Sequence, residues 1–298
     1  MILYMLYRIG VFLALALPLK VTYRVACVIA DIYCRISAKD REAVANNLKI
    51  VLGDSVDGRK LNEMTREVFK NFAKYLVDFF RFTKINADEI KRLVKIEGVE
   101  HLNSALAKGK GAVLLSAHIG NWELGGAALS LSGYPVSAVV LTHQNKKIDD
   151  FFTRQRMSGR MRPIAIGASL KACYRVLKGN GLLALLGDRD FTKSGLAIEF
   201  FGRTTLMPKG PALFGYREGA AIVPTFMVRQ PDDSFRLLME PPIFADRGED
   251  EERAVRMLAS RYIRTIESCI RQYPTQWYVF RGLWETDASE SMHPDTII

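Results

Sequence analysis

The stretch Gly109–Leu141, GKGAVLLSAHIGNWELGGAALSLSGYPVSAVVL, decides the fold class. Ala112–Ser116 is a short, uninterrupted apolar run entered through GKG, the mark of a buried strand. Trp122–Leu131 reads as a helix and Val136–Leu141 as the next strand, so the segment is one strand-helix-strand unit. Neither strand alternates polar with apolar residues, which predicts a sheet covered on both faces.

The same alternation continues outward. Downstream, a polar helix is expected near Ile148–Met157, a short strand at Ile164, a helix over Ser169–Lys178 and a buried strand at Leu182–Leu186. Ala220–Val228 and Phe235–Glu240 flank the turn Gln230–Ser234 as an antiparallel hairpin, and Arg253–Tyr273 makes the last helix. Upstream, Leu61, Met64, Val68, Phe72, Tyr75, Leu76, Phe79 and Phe80 recur at helical steps within Lys60–Phe82. Asn86 with Glu89 reads as a capping box opening a short helix that ends near Gly98. The fold class predicted is α/β: a mixed, mostly parallel central sheet flanked by helices.

The N-terminus has a different character. Ile9–Leu19 is apolar but interrupted at Pro18 and closed by Lys20, short of the roughly 20 residues that span a hydrocarbon core. Val21–Ile36 sets Arg24, Asp31 and Arg35 among apolar and aromatic residues, a pattern suited to a helix lying in a membrane interface. Residues 1–36 are therefore expected to be an apolar helical membrane anchor, the alternative being a helical hairpin packed on the domain, and 37–298 the catalytic domain.

A net charge of +10 over 298 residues points to an anionic partner: a phospholipid surface, an acidic carrier protein or a phosphorylated substrate. The basic residues are dispersed and carry no nucleic-acid-binding signature, so no nucleic acid is expected. The four cysteines show no metal-ligand spacing, and neither a metal nor a cofactor is expected.

SAHIGNWE, Ser116–Glu123, sits where a buried strand ends and a helix begins, the position at which open α/β sheets gather substrate groups. His118 is expected in the loop, with Glu123 one turn into the helix and facing the imidazole, where it would fix the ring tautomer. No GxSxG elbow, HExxH site or P-loop competes in the sequence. A histidine-carboxylate pair without its own nucleophile suits a reaction whose hydroxyl comes from the substrate.

SAHIGNWE, NKKIDDFFTRQR (Asn145–Arg156), GDRDF (Gly187–Phe191), EFFGRTTLMPKGPALFGYREGAAIVPTF (Glu199–Phe226) and QWYVFRGLW (Gln276–Trp284) stand in an order that resembles the lipid A biosynthesis (lauroyl/myristoyl) acyltransferase family. The resemblance implies a glycerolipid-acyltransferase-like fold. It also implies transfer of a fatty acyl group from acyl carrier protein or coenzyme A to a glycolipid hydroxyl, such as that of a lipid A precursor, at the cytoplasmic face of the inner membrane. His118 would then be the general base and Glu123 its orienting partner. Asp188, Arg189 and Asp190 would form the acidic block, with Asn121, Arg154 and Lys209 completing the substrate-binding set. Arginine, lysine or backbone donors near His118 would stabilise the oxyanion formed at the thioester.

One departure concerns the acceptor. Where lipid A enzymes commonly end on a basic cluster, this chain reads FRGLWETD from Phe280. A phosphatidylinositol mannoside or a lysophospholipid is accordingly kept as the alternative acceptor, and a non-catalytic lipid-binding protein as the alternative class.

Overall fold

The computed structural model describes residues 2–53, 56–166, 170–191 and 194–284. Its N-terminal part is helical, with α1 (Ile2–Ala16), α2 (Leu19–Ile36), α3 (Ala38–Leu52), α4 (Gly58–Phe80) and α5 (Ala87–Leu93). Alternation follows: β1 (Val94–Glu97), α6 (Val99–Leu106), β2 (Ala112–Ser116), α7 (Trp122–Leu131), β3 (Val136–Val140), α8 (Lys146–Ser158), β4 (Arg162–Ala165), α9 (Leu170–Lys178) and β5 (Leu182–Leu186). The chain ends on β6 (Leu196–Phe200), β7 (Arg203–Met207), α10 (Gly210–Glu218), β8 (Ala221–Arg229), β9 (Phe235–Met239) and α11 (Glu251–Gln272).

Seven strands form one sheet in the order β1-β9-β8-β2-β5-β3-β4, and β6 and β7 form a separate hairpin. Every pairing in the large sheet is parallel except β8 with β9, so the sheet is mixed and mostly parallel. Successive side chains of a strand point to opposite faces. Ala112 and Leu114 of β2 accordingly enter the core beneath α7, while Val113 and Leu115 enter the core that contains α11 residues such as Ile263 and Ile266. The run that lacks polar alternation is buried because both faces are covered.

Two local expectations are corrected. The helix from Asn86 does not reach Gly98: it stops at Leu93, and Val94–Glu97 becomes β1, pairing with β9 in parallel register. The alternation in Val-Lys-Ile-Glu and its β-branched residues favour the strand once a neighbour is available. The hairpin of β6 and β7 was not anticipated; Phe201 and Gly202, both at positive φ, make its turn. The expected helix start at Ser169 and the part of FRGLWETD beyond Trp284 lie outside the described residues.

The anchor expectation also changes. Among the described residues no helix is long and apolar enough to cross a membrane. Instead α1 and α2 pack on the rest of the fold. Tyr7 stacks on Phe151 at 5.8 Å and meets Phe80 and Phe152 edge-on. The carbonyls at the end of α1 accept hydrogen bonds from Arg81, and Leu15 O accepts one from Lys84 Nζ at 2.8 Å. The opposite side of the pair stays apolar and exposed, with Leu6, Ile9, Phe12, Val28, Ile29 and Ile32 each more than half exposed.

Tyr23 of α2 carries the deepest of these attachments. Its hydroxyl donates to Asp78 of α4 and accepts from Arg229 Nη1 of β8 at 3.1 Å, while Asp78 also pairs with Arg229 Nη2. Asn121 Nδ2 closes the network on Asp78 at 3.0 Å, and all four residues are buried. Replacing Asp78 by Ala leaves the buried Arg229 charge with only the longer, 3.4 Å ion pair to Asp233 and is expected to lower unfolding free energy by about 3–5 kcal/mol. Urea denaturation checks this, and a loss below about 1 kcal/mol, typical of an exposed pair, would contradict it.

Candidate active site

The loop between β2 and α7 is built by close backbone approach. Gly120 has φ +61°, and a Cβ there would lie 1.8 Å from Met227 O, so only glycine fits. Its N–H donates to Gln276 O at 2.8 Å, Asn121 N–H donates to Met227 O at 2.8 Å, and Tyr278 N–H donates to His118 O at 2.8 Å. Asn121 Oδ1 then caps α7 by accepting from Leu124 N at 3.0 Å. The loop is thereby fixed to β8 and to the QWY segment near the C-terminus.

His118 is buried, and its Nδ1 lies 2.8 Å from Asp188 Oδ1. Asp188 Oδ2 accepts from His118 N at 3.0 Å and from Trp277 Nε1 at 2.9 Å. Burial alone would raise the Asp188 pKa, but the His118 charge and the hydrogen bonds from His118 and Trp277 outweigh it and hold it down to about 2. An ionised carboxylate only accepts, so Nδ1 carries the proton and Nε2 is the basic nitrogen. Burial holds the His118 pKa below its ordinary 6.5, against the opposing pull of Asp188, and Arg189 and Arg281 push the same way as burial.

The carboxylate bound to His118 is therefore Asp188, not Glu123. Glu123 turns instead to Arg156 of α8, whose Nε and Nη2 donate to Oε1 at 2.9 and 2.7 Å, and both side chains are almost fully buried. Arg154, expected at the site, is exposed. Helical phase explains the exchange: Phe152 and Arg156, four residues apart, share the inner face of α8, and Arg154 lies two residues off it.

The remaining expected residues separate. Asn121 belongs to the loop's hydrogen-bond frame. Arg189 is buried beside Asp188, its guanidinium 4.9 Å from the Phe191 ring, and burial together with Arg281 draws its pKa down to about 9. Asp190 accepts from Gly195 N at 2.9 Å. Lys209 is exposed at the start of α10, away from the cavity lining. Trp277 and Arg156 were not anticipated as site residues; both stand inside the quoted sequence blocks.

His118, Glu123, Trp122 and Arg156 border a cavity of about 220 Å³ that runs between the sheet and α7. Its further walls are apolar, with Leu114, Leu129, Ala138, Ala184, Met161 and Met227 among them. Gly125 and Gly126 form part of the α7 wall; a Cβ on Gly126 would meet Met161 Sδ at 2.4 Å. The space is thus apolar along its length and polar where it meets His118 and Arg156. Among the described residues, no cluster of three or more histidine, cysteine or acidic side chains is arranged to hold a metal ion.

Fold and site together define the class: an α/β enzyme with a histidine-aspartate pair at the polar edge of an apolar cavity. The chain belongs to the bacterial lipid A biosynthesis acyltransferase family, whose model matches residues 1–286. Phosphatidylinositol mannoside acyltransferases are similar to it, one from Mycolicibacterium smegmatis at 27% identity over 233 residues (77% of this chain, 75% of the relative). Another from Mycobacterium tuberculosis is 28% identical over 228 residues, 74% of this chain and 70% of the relative. The lipid A biosynthesis lauroyltransferase of Escherichia coli is 24% identical over 276 residues, 90% of this chain and 87% of its own length.

The His118 imidazole is expected to titrate below 6.5, and Asp188→Asn, which removes a stabilising negative charge, to move it further down, as followed by NMR of the ring nitrogens. Because the unfolded histidine takes up its proton at higher pH than the folded one, the His118 contribution to stability falls as pH drops below 6.5 and levels off beneath the folded value, and the low pKa of Asp188 adds a separate loss below 3.8. A His118 titration above 6.5 would contradict the burial argument.

Proposed function

We propose that this acyltransferase moves a fatty acyl group from an acyl thioester, carried by acyl carrier protein or coenzyme A, to a hydroxyl of a glycolipid. The observation that carries the reading is the His118–Asp188 pair bordering an apolar cavity. With the acyl chain in the cavity, the thioester carbonyl lies beside Nε2 of His118. That nitrogen takes the proton of the acceptor hydroxyl as the oxygen attacks the carbonyl carbon. The tetrahedral oxyanion collapses, the carbon–sulfur bond breaks, and the leaving thiolate takes the proton back from the imidazolium.

Asp188 stabilises the imidazolium while it exists and fixes the ring so that Nε2 is the reacting nitrogen. Glu123 positions Arg156 through the bidentate pair, which leaves the Nη1 donors of Arg156 for polar groups at the cavity edge. Glu123 is thus read as a positioning residue for Arg156, and Asp188 takes the role that adjacency in sequence had suggested for Glu123.

The exposed apolar side of α1 and α2 supports work at a lipid surface, with those helices lying against the cytoplasmic face of the inner membrane. For the acceptor, two observations favour a phosphatidylinositol mannoside over a lipid A precursor. The relatives named for that substrate match at the higher identity, and the final block reads Arg281-Gly282-Leu283 in place of a basic cluster. The net charge of +10 favours acyl carrier protein as donor, since opposite charge speeds encounter with an acidic partner.

Mass spectrometry of products tests the reading. The purified protein is incubated with acyl-carrier-protein thioesters and membrane lipid extract, beside His118→Ala and Asp188→Asn. A new acylated glycolipid is expected from the native protein, with rates lowered by about 10²–10⁴-fold in both variants. Equal product from His118→Ala would remove the general-base mechanism, and a product other than a glycolipid would replace the acceptor assignment.

A further inference from the structure

Arg189 stands next to the base's partner, and part of its own guanidinium has no hydrogen-bond partner among the described residues. The residue is only 3% exposed, and its Nε and Nη1 have no hydrogen-bond partner among the described residues. The neighbouring carboxylate of Asp188 is already taken up by His118 and Trp277. A buried guanidinium left in this state is costly, because the lost hydration is not replaced. A second guanidinium, that of Arg281, lies 5.4 Å from the ring of Phe191, while that of Arg189 is 4.9 Å from the same ring. Phe191 in turn lines the cavity, its ring 6.2 Å from that of His118. Two cations thus lie against one aromatic ring that lines the cavity, both bear on the charge of His118, and the Asp188 carboxylate beside Arg189 is otherwise engaged.

We infer that Arg189, assisted by Arg281, forms an anion subsite for a phosphate ester of the substrate, bound beside His118 during transfer. The inference rests on the proposed function in one respect: acyl carriers hold the thioester on a phosphopantetheine arm, and glycolipid acceptors of the kind named carry a phosphodiester, so either substrate supplies the group. Arginine suits it, since its planar fork matches phosphate oxygens in pairs. The site makes a demand that a structural arginine does not. Its charge destabilises the ligand-free protein and is compensated only when the anion arrives.

The test uses the full chain in detergent, with inorganic phosphate as probe and chloride at equal ionic strength as control. Phosphate is expected to raise the thermal midpoint of the native protein and to inhibit product formation. Arg189→Met, of similar length and apolar, is expected to match or exceed the native midpoint in phosphate-free buffer and to need about 10- to 100-fold more phosphate for the same shift. Inhibition competitive with the thioester assigns the site to the donor's phosphate, and inhibition competitive with the glycolipid assigns it to the acceptor's. Inhibition competitive with neither overturns the substrate subsite, as does a native midpoint that phosphate moves no more than chloride. A destabilised Arg189→Met with an undiminished phosphate response makes the residue structural. If that variant fails to fold, Arg281→Gln is expected to weaken the response, and an unchanged response there also overturns the inference. The midpoint needs no turnover, so His118→Ala separates the two readings: it is expected to keep the phosphate shift, and product from it would sink the base mechanism while leaving the subsite standing.

Discussion

Asp188 accepts three hydrogen bonds in a place where water does not reach, and through them it joins three distant parts of the chain. Two come from His118, by ring and backbone, and one from Trp277. A buried carboxylate is tolerable only when so satisfied. The condition works in both directions. The loop after β2, the loop after β5 and the QWY segment must all be in place for the charge to be stable, and the charge in turn sets which imidazole nitrogen is basic.

Sheet topology makes that meeting possible. β2 and β5 are neighbours in parallel register, with Ser116 opposite Leu186, so the loops that leave their carboxyl ends emerge side by side. His118 and Asp188 each lie two residues beyond those strand ends. The partner of the histidine therefore comes from the adjacent strand, whereas Glu123, five residues on, is carried by α7 toward α8 and Arg156.

This separates what was legible in the sequence from what was not. The strand-helix-strand unit at Ala112–Val140 was legible because continuous apolar runs bounded by glycine admit few alternatives. The placement of His118 at a strand end followed from it. Its partner did not, since local spacing reveals only neighbours along the chain and the pairing order of parallel strands is not written locally. The choice between Arg154 and Arg156 turned on helical phase, which depends on knowing which face of α8 is covered. The Tyr23, Asp78, Arg229 and Asn121 network joins residues from Tyr23 to Arg229, and no periodicity marks such a set. Likewise the division of the N-terminal helices into a buried and an exposed side required the partner helix α4 to be present.

Gly125 and Gly126 let α7 pack closely on Met227 and Met161, side chains that themselves line the cavity, in the middle of a helix where glycine is otherwise unfavourable by about 1 kcal/mol per residue. The width of the hollow is thus set in part by how closely α7 approaches those two methionines. A methyl group at Gly126 would displace Met161 and one at Gly125 would press on Met227, so each would reshape the cavity without touching His118, Asp188 or Arg156. Capacity and chemistry occupy separable positions, and a lineage of such proteins has a route by which the size of the guest drifts, one residue at a time, while the reacting groups stay fixed.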